Sequence, residues 1–150
     1  MRARLFAGIA LIAGLAALPV PAEEGLLVTY PVDGSFEDGA FGVESAITDR
    51  GLVIDAVSHV GAMLNRTGSD VGSTVPLFAE ADIYLFCSAV LSRRVMEADP
   101  NNIAHCPYGI ILREMPDGRV EVGYRRMPDG AMQEVEALLD DIAREAAGLD

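Results

Sequence analysis

The sequence predicts an α+β fold of about five strands, with helices packed on one face of the sheet. Three observations support this prediction. Short apolar or alternating runs are separated by turn signals rich in Gly, Pro and Asp. The Pro-Asp-Gly turn at residues 116–118 joins two of these runs as a hairpin. A long stripe of apolar residues at helical spacing lies near the C-terminus.

The N-terminal segment has the layout of a secretory signal peptide. Two arginines form a short basic region, a run of apolar and small residues extends from Leu5 to Leu18, and cleavage fits after Ala22. A retained membrane anchor is the alternative, but the run is shorter than the ~20 residues that a spanning helix needs. We therefore expect residues 1–22 to be removed and residues 23–150 to form a single periplasmic domain.

The expected mature domain is strongly acidic. It contains no lysine, and removal of the two leader arginines leaves 9 Arg residues against 23 Asp and Glu residues, a formal charge of −14. This charge argues against nucleic acids and anionic membranes as partners, because both attract clustered positive charge. We expect the partner to be a small ligand or another exported protein, and a homodimer stays open.

The first strand and helix signals follow directly after the leader. Residues 26–32 form a short apolar run typical of a strand, and Ser35 with Asp38 predicts the capping box of a helix. The apolar positions of this helix are Phe36, Ala40, Val43 and Ile47. Gly39 and Gly42 each weaken the helix by about 1 kcal/mol relative to Ala, so tertiary packing must hold it.

A second strand is predicted over residues 52–60. Its alternation places Leu52, Ile54 and Ala56 on one face. His59 lies on the opposite face, which mixes apolar and polar residues.

Both cysteines border strands in the middle of the chain. Cys87 ends a run of β-branched and aromatic residues and shares a face with Ile83 and Leu85. A helix over residues 89–98 follows this run. Cys106 opens the next strand and shares a face with apolar residues at alternate positions, which are Tyr108, Ile110 and Leu112. The alternation therefore predicts that both thiols point to the apolar side of the sheet.

The last part of the chain contains a returning strand and the clearest helix. The inner face of the strand carries Val120, Val122 and Tyr124. The helix has an apolar stripe with acidic residues on the opposite face. This stripe consists of Met132, Val135, Leu138, Leu139, Ile142 and Ala146. Gly148 then predicts the C-cap of the helix.

Several short motifs of the mature chain resemble the domain of unknown function 302 family. They are Ser35-Phe36-Glu37, Val53-Ile54-Asp55 leading to His59, Phe86-Cys87-Ser88-Ala89, Ala98-Asp99-Pro100, Cys106-Pro107-Tyr108-Gly109-Ile110 and Val122-Gly123-Tyr124-Arg125-Arg126. The resemblance implies a two-layer sandwich with a mostly antiparallel sheet, often dimeric, and it brings no known reaction, cofactor or catalytic residue. Many members have Gly-Asn-Pro in place of Cys87-Ser88-Ala89 and Leu-Pro in place of Cys106-Pro107, so the roles of the cysteines cannot be taken from the family.

Two cysteines in an exported protein indicate a disulfide between Cys87 and Cys106. The bridge would close a loop of about 20 residues and stabilise the fold by roughly 3 kcal/mol on the chain-entropy model. A parallel crossover between the two strands would place the cysteines at opposite ends of the sheet, beyond the ~7 Å Cα limit for a disulfide. The antiparallel sheet that the resemblance implies removes this objection.

Two other interpretations of the cysteines stay open. Cys87, Cys106, His59 and His105 are all the Cys and His residues of the protein, and zinc or copper uses such ligands. Cys106-Pro107 also resembles a short motif that holds haem through a thiolate. The spacing of the four Cys and His residues in the sequence, however, matches no compact metal-binding motif. A redox-active pair is the third interpretation, although few residues nearby in sequence would lower a thiol pKa.

An aromatic and basic cluster is the remaining candidate site. It consists of Tyr124, Arg125 and Arg126, and Arg93 with Arg94 could join it to bind an anionic ligand. Arginine offers a planar fork to carboxylates and sulfur oxyanions, so an anion site is one interpretation of these residues. The alternative is that these arginines pair with the many surface acids. The whole sequence thus predicts a non-catalytic exported binding domain with no cofactor, or else a thiol-redox, metal or haem protein centred on the two cysteines.

Overall fold

The structure of the protein is a computed structural model that describes residues 25–149, and the predicted signal peptide lies outside this range. Its strands are β1 (Leu27–Val32), β2 (Val53–Ser58), β3 (Glu80–Cys87), β4 (Tyr108–Glu114) and β5 (Val120–Arg125). Its α-helices are α1 (Phe36–Thr48), α2 (Val60–Thr67), α3 (Ala89–Ala98) and α4 (Gln133–Ala146). Short 3-10 turns cover Ser69–Val71 and Pro100–His105. Within residues 25–149, no helix has the length and apolar character needed to cross a membrane.

The five strands form one sheet in the order β1-β5-β4-β3-β2, and every neighbouring pair is antiparallel. Helices α1 and α4 pack against each other and against the central strands. Their apolar faces and one face of the sheet form a single core. This arrangement confirms the predicted α+β sandwich with a mostly antiparallel sheet.

The local helix signals are confirmed. Ser35 and Asp38 form both hydrogen bonds of a capping box at the start of α1. Gly148 has a φ of +71° after α4, and the Leu149 amide donates back to the Arg144 carbonyl, as in a Schellman C-cap. Most of the predicted stripe on α4 is buried, namely Met132, Val135, Leu139, Ile142 and Ala146.

The predicted inner face of β3 is wrong. Tyr84 and Phe86 point into the core and are 2% and 0% exposed, whereas Ile83 and Leu85 are half-buried on the opposite face. Cys87 shares the parity of Ile83 and Leu85 and therefore does not face the helices. The error arises because both faces of β3 are apolar, and the larger aromatic residues bury more area against α1 and α4.

The predicted faces of β2 are also wrong beyond Ile54. A register irregularity between Ile54 and Ala56 leaves Asp55 without a partner on β3 and reverses the alternation. Ile54 and Val57 consequently pack against the core, while Ala56 is exposed. The bulge interrupts the strict period of two on which the prediction depended.

Glycine allows α1 and α4 to approach closely. A Cβ atom at Gly42 would lie 2.9 Å from the carbonyl oxygen of Ala146 and 3.3 Å from its Cα. Because these are backbone atoms of α4, they cannot move aside as a flexible side chain would. Packing therefore explains why α1 tolerates a glycine that costs about 1 kcal/mol in helix propensity.

Substitution Gly42→Ala is expected to lower the free energy of unfolding by about 1–3 kcal/mol, because the added methyl forces the two helices apart. In a helix without this contact, the same change would raise stability by up to about 1 kcal/mol. Urea denaturation measures the difference. Gly25→Ala is the control, since its Cβ would meet only the Leu27 carbonyl oxygen at 3.8 Å. A more stable Gly42→Ala protein would refute the close-approach argument.

Candidate functional site

A cavity of about 240 Å³ lies on the face of the sheet opposite α1 and α4. Two cross-strand rows form its floor. One row pairs Leu85 of β3 with Gly109 of β4. On the other side of β4, Ile110 pairs with Tyr124 of β5, so the next antiparallel position places Arg125 beside Gly109. The next row runs from Ile83 through Ile111 to Gly123. Glycine in the middle of the first row leaves room above the sheet.

The walls of the cavity come from segments that flank the strands. His105 and Pro107 precede β4, and Met127 follows β5. The Met127 backbone amide donates to Glu136 Oε2 at 2.6 Å, which ties this wall to α4. The complete lining is Ile83, Leu85, His105, Pro107, Gly109, Ile111, Arg125 and Met127. The site is thus mostly apolar, with one cationic side chain at its edge.

The predicted arginine cluster is divided between several partners. Arg93 donates to Glu97 at 2.5 Å, Arg94 pairs with Glu134, and Arg126 lies 3.7 Å from Glu136. Arg125 differs from these three, because its side chain makes no hydrogen bond or ion pair within residues 25–149. Of the predicted arginines, only Arg125 lines the cavity.

Tyr124 of the same predicted cluster faces the helices. Its hydroxyl donates to Asp140 Oδ1 at 2.9 Å, and the Tyr30 hydroxyl donates to the same oxygen. Burial, followed by the hydrogen bond to Asp140, raises the pKa of Tyr124. These contacts tie β1 and β5 to α4, so the role of Tyr124 in the structure is in the core.

His105 supplies a polar group to the cavity wall. Its Nδ1 atom is buried and has no hydrogen-bond partner within the described residues. A buried polar atom without a partner costs roughly 1–3 kcal/mol, so such atoms are uncommon in native proteins. An acceptor or donor brought by a ligand would satisfy it.

The two thiols lie in contact beside the cavity. The antiparallel pairing of β3 and β4 brings the end of one strand beside the start of the other, and Cys87 Sγ lies 2.7 Å from Cys106 Sγ. This distance exceeds the ~2.05 Å of a disulfide bond, and both cysteines are free. The structure therefore contains a pair of thiols where the sequence predicted a disulfide.

The Cys87 thiol is held in its protonated form. Burial raises its pKa to about 11, and the hydrogen bond with Cys106 acts in the same direction. Because the thiolate is the reactive species, Cys87 of the folded, reduced protein is a poor nucleophile near neutral pH.

The four predicted metal or haem ligands do not come together as one set. Cys87 and Cys106 meet, His105 lies in the cavity wall, and His59 Nδ1 bonds Asp82 Oδ1 at 2.8 Å. Across residues 25–149, no group of three or more His, Cys, Asp or Glu side chains is arranged to hold a metal ion.

Comparison with known proteins gives the family. The model of the family described as Domain of unknown function DUF302 matches residues 28–148. The chain belongs to this family. Among solved structures, it is similar to an uncharacterized conserved DUF302 protein from Bacillus stearothermophilus, with a TM-score of 0.58 and 15% sequence identity. The match covers 83% of this chain and 94% of that chain, and it shows the shared fold. No curated protein matches the chain.

The sequence did not predict the cavity of this DUF302 domain. The alternation places Ile83 and Leu85 on the apolar side of the sheet and gives Ile111 no role, and Gly109 enters only within a motif that resembles the family. One usable signal was present, because an isolated glycine within a strand indicates close approach of another group. The open face itself was not predictable, since it depends on which side the helices cover.

Alkylation of the reduced protein tests the state of Cys87. Its rate with iodoacetamide is expected to be slow at pH 8 and to rise until about pH 11, because burial raises the pKa of Cys87 to that value. Because the pKa of Cys87 is raised from 9.0 to about 11 by folding, the protonated thiol contributes to the free energy of unfolding below pH 9.0. This contribution is lost as the pH rises toward 11. Mass spectrometry of the peptide that contains Cys87 gives the rate. The protein unfolded in urea is the control, and a folded-state rate that levels off near pH 9 would contradict the argument.

Proposed function

We propose that this DUF302 protein is an exported, non-catalytic domain that binds a small molecule in the cavity above Gly109. The observation that carries the proposal is a concave apolar site with one polar wall residue and one arginine that has no ion pair within residues 25–149. Small-molecule sites have this character, and their volumes are usually ~300–1,000 Å³. At about 240 Å³ the cavity fits a compact ligand smaller than a typical drug molecule.

The N-terminal sequence and the thiols support export as part of this proposal. The basic, apolar and small-residue regions at the start of the chain follow the order of a secretory signal peptide. The exported compartment is oxidising, and disulfides persist there. The contact between Cys87 and Cys106 allows a bridge to close with a small movement of the two sulfur atoms. Oxidation would then stabilise the binding domain.

Filling the cavity tests the binding proposal. Gly109→Val places a side chain on the cavity floor, and its Cβ would meet Ile83 Cγ2 at 3.2 Å and Leu85 Cδ2 at 3.6 Å. Leu85 Cδ2 is at ordinary contact distance, the Ile83 branch methyl must give by only a few tenths of an ångström, and Val favours a strand, so the variant should fold. Titration of labelled protein with benzamide, indole and cyclohexanol should shift amide NMR signals of residues 83–85 and 109–111 in the wild type. Gly109→Val should weaken this response at least about tenfold.

Ala56→Val is the matched control, because it adds the same two methyl groups to an exposed strand position on β2. It should respond to the three probes as the wild type does. If Gly109→Val responds to the probes as strongly as the wild type does, the cavity is not the binding site.

Thiol–disulfide exchange is a second candidate function, which the 2.7 Å contact between the thiols favours. In this reaction the two thiols are oxidised by a partner disulfide, which takes both electrons and leaves as two thiols. The protonated Cys87 argues for slow exchange. The reduction potential of the Cys87–Cys106 pair distinguishes a structural bridge from a catalytic pair. A structural disulfide has a potential below about −300 mV, whereas a catalytic pair lies higher.

Isolation of the full chain from the periplasm without reductant tests both export and the bridge. We expect a mature protein that begins at Glu23, contains no free thiol after denaturation, and is two hydrogen atoms lighter than the reduced form. Intact mass and thiol titration measure these properties, and equilibration with glutathione gives the potential. The Cys87→Ser variant, with one remaining thiol, calibrates the titration. Two free thiols would contradict the structural disulfide. Retention of residues 1–22 would contradict the export proposal.

A further inference from the structure

The position of Arg125 specifies the chemistry of the cavity ligand. The side chain is exposed at the edge of the cavity and has no carboxylate partner within residues 25–149, whereas Arg93, Arg94 and Arg126 each have one. A guanidinium presents a planar fork of donors that matches a carboxylate. Arg66 and Arg144 also have no ion pair within residues 25–149, but of these three arginines only Arg125 lines the cavity.

From this placement we infer that the ligand is a small organic monoanion, a carboxylate on a compact apolar body. The inference rests on the proposed binding function and names the ligand class of the same site. The carboxylate contacts Arg125, and the apolar body lies over Gly109 against Ile83, Leu85 and Ile111.

The cross-strand rows give the ligand a defined direction. Leu85, Gly109 and Arg125 succeed one another across β3, β4 and β5, so the cation stands at one end of the row and the apolar side chain at the other. Gly109 carries no side chain between them. A molecule that spans this gap meets the guanidinium with one end and apolar groups with the other.

The lining residues exclude other charge types. None of the eight is acidic, so a cationic ligand would find no opposite charge. A neutral ligand that covered the guanidinium would remove water from it without replacing the lost hydrogen bonds, which is costly. A dianion would meet a single arginine against the negative field of the whole domain, which opposes additional negative charge.

His105 adds a partly polar ring to the cavity wall beside this ligand. Its buried Nδ1 has no partner within the described residues, and the ring lies in the cavity wall. Because Nδ1 itself is buried, a ligand oxygen could satisfy it only after the ring turned toward the cavity.

Matched pairs of probes test the charge of the ligand. Benzoate and benzamide have the same size and shape, as do cyclohexanecarboxylate and its amide, so each pair differs mainly in charge. Calorimetry or NMR titration of the wild type should give at least about tenfold tighter binding for each carboxylate than for its amide. Phenyl phosphate, a dianion, should bind no tighter than benzoate.

Arg125→Gln should remove the preference for carboxylates while binding of the amides stays unchanged. Arg66→Gln is the matched control, because Arg66 is also exposed and without an ion pair within residues 25–149, and it does not line the cavity. The control should keep the full preference. Arg125→Lys, which keeps the charge and loses the fork, should give an intermediate value.

The outcomes separate this inference from the proposed function. Equal binding of benzoate and benzamide, or tighter binding of phenyl phosphate, would overturn the monoanion while the cavity remained a binding site. An equal loss in Arg66→Gln and Arg125→Gln would show a general charge effect and overturn the role of Arg125. Failure of every probe, neutral and charged, would overturn both proposals.

Discussion

Burial of the antiparallel sheet on one face is the constraint on which the remaining structure depends. Helices α1 and α4 cover the central strands only because they lie close together, and Gly42 permits this approach. Beneath them, Phe86 and Tyr108 meet edge to face with their ring centroids 6.2 Å apart. Because these large residues turn toward the helices, the smaller apolar side chains of the same strands remain on the opposite face. Those side chains, with Gly109 between them, become the floor of the cavity.

Helices were predictable from the sequence because their determinants lie within one or two turns. The capping box from Ser35 to Asp38 and the apolar stripe of α4 are patterns of this kind, and both are confirmed. Strand faces were less predictable. Alternation states which residues share a face, but only tertiary packing decides which face is covered. On β3 both faces are apolar, so Tyr84 and Phe86 could not be told from Ile83 and Leu85 by pattern alone.

The cavity with Arg125 was not predictable from the sequence for a related reason. The arginines form a group in the sequence, but their partners are chosen by the fold. Arg94 pairs with Glu134 across 40 positions of the chain, and this contact exists only once α4 has docked. Of these four arginines, Arg125 is the one without an ion pair within residues 25–149. The resemblance to the family was enough to predict the fold. Which arginine lacks an ion pair could be known only from the ion pairs in the folded structure.

The thiol pair and the cavity share one segment of backbone, which makes the two candidate functions compatible. Cys106 lies between His105 and Pro107, and both neighbours line the cavity. Closing the bridge would shorten the distance between the two sulfur atoms beside this segment, and Leu85 of the cavity floor lies two residues before Cys87. A ligand whose affinity differs between the dithiol and disulfide states must therefore shift the reduction potential of the pair, and by linkage the redox state must shift ligand affinity by the same factor. A ligand with equal affinity for both states would leave the potential unchanged, however tightly it bound.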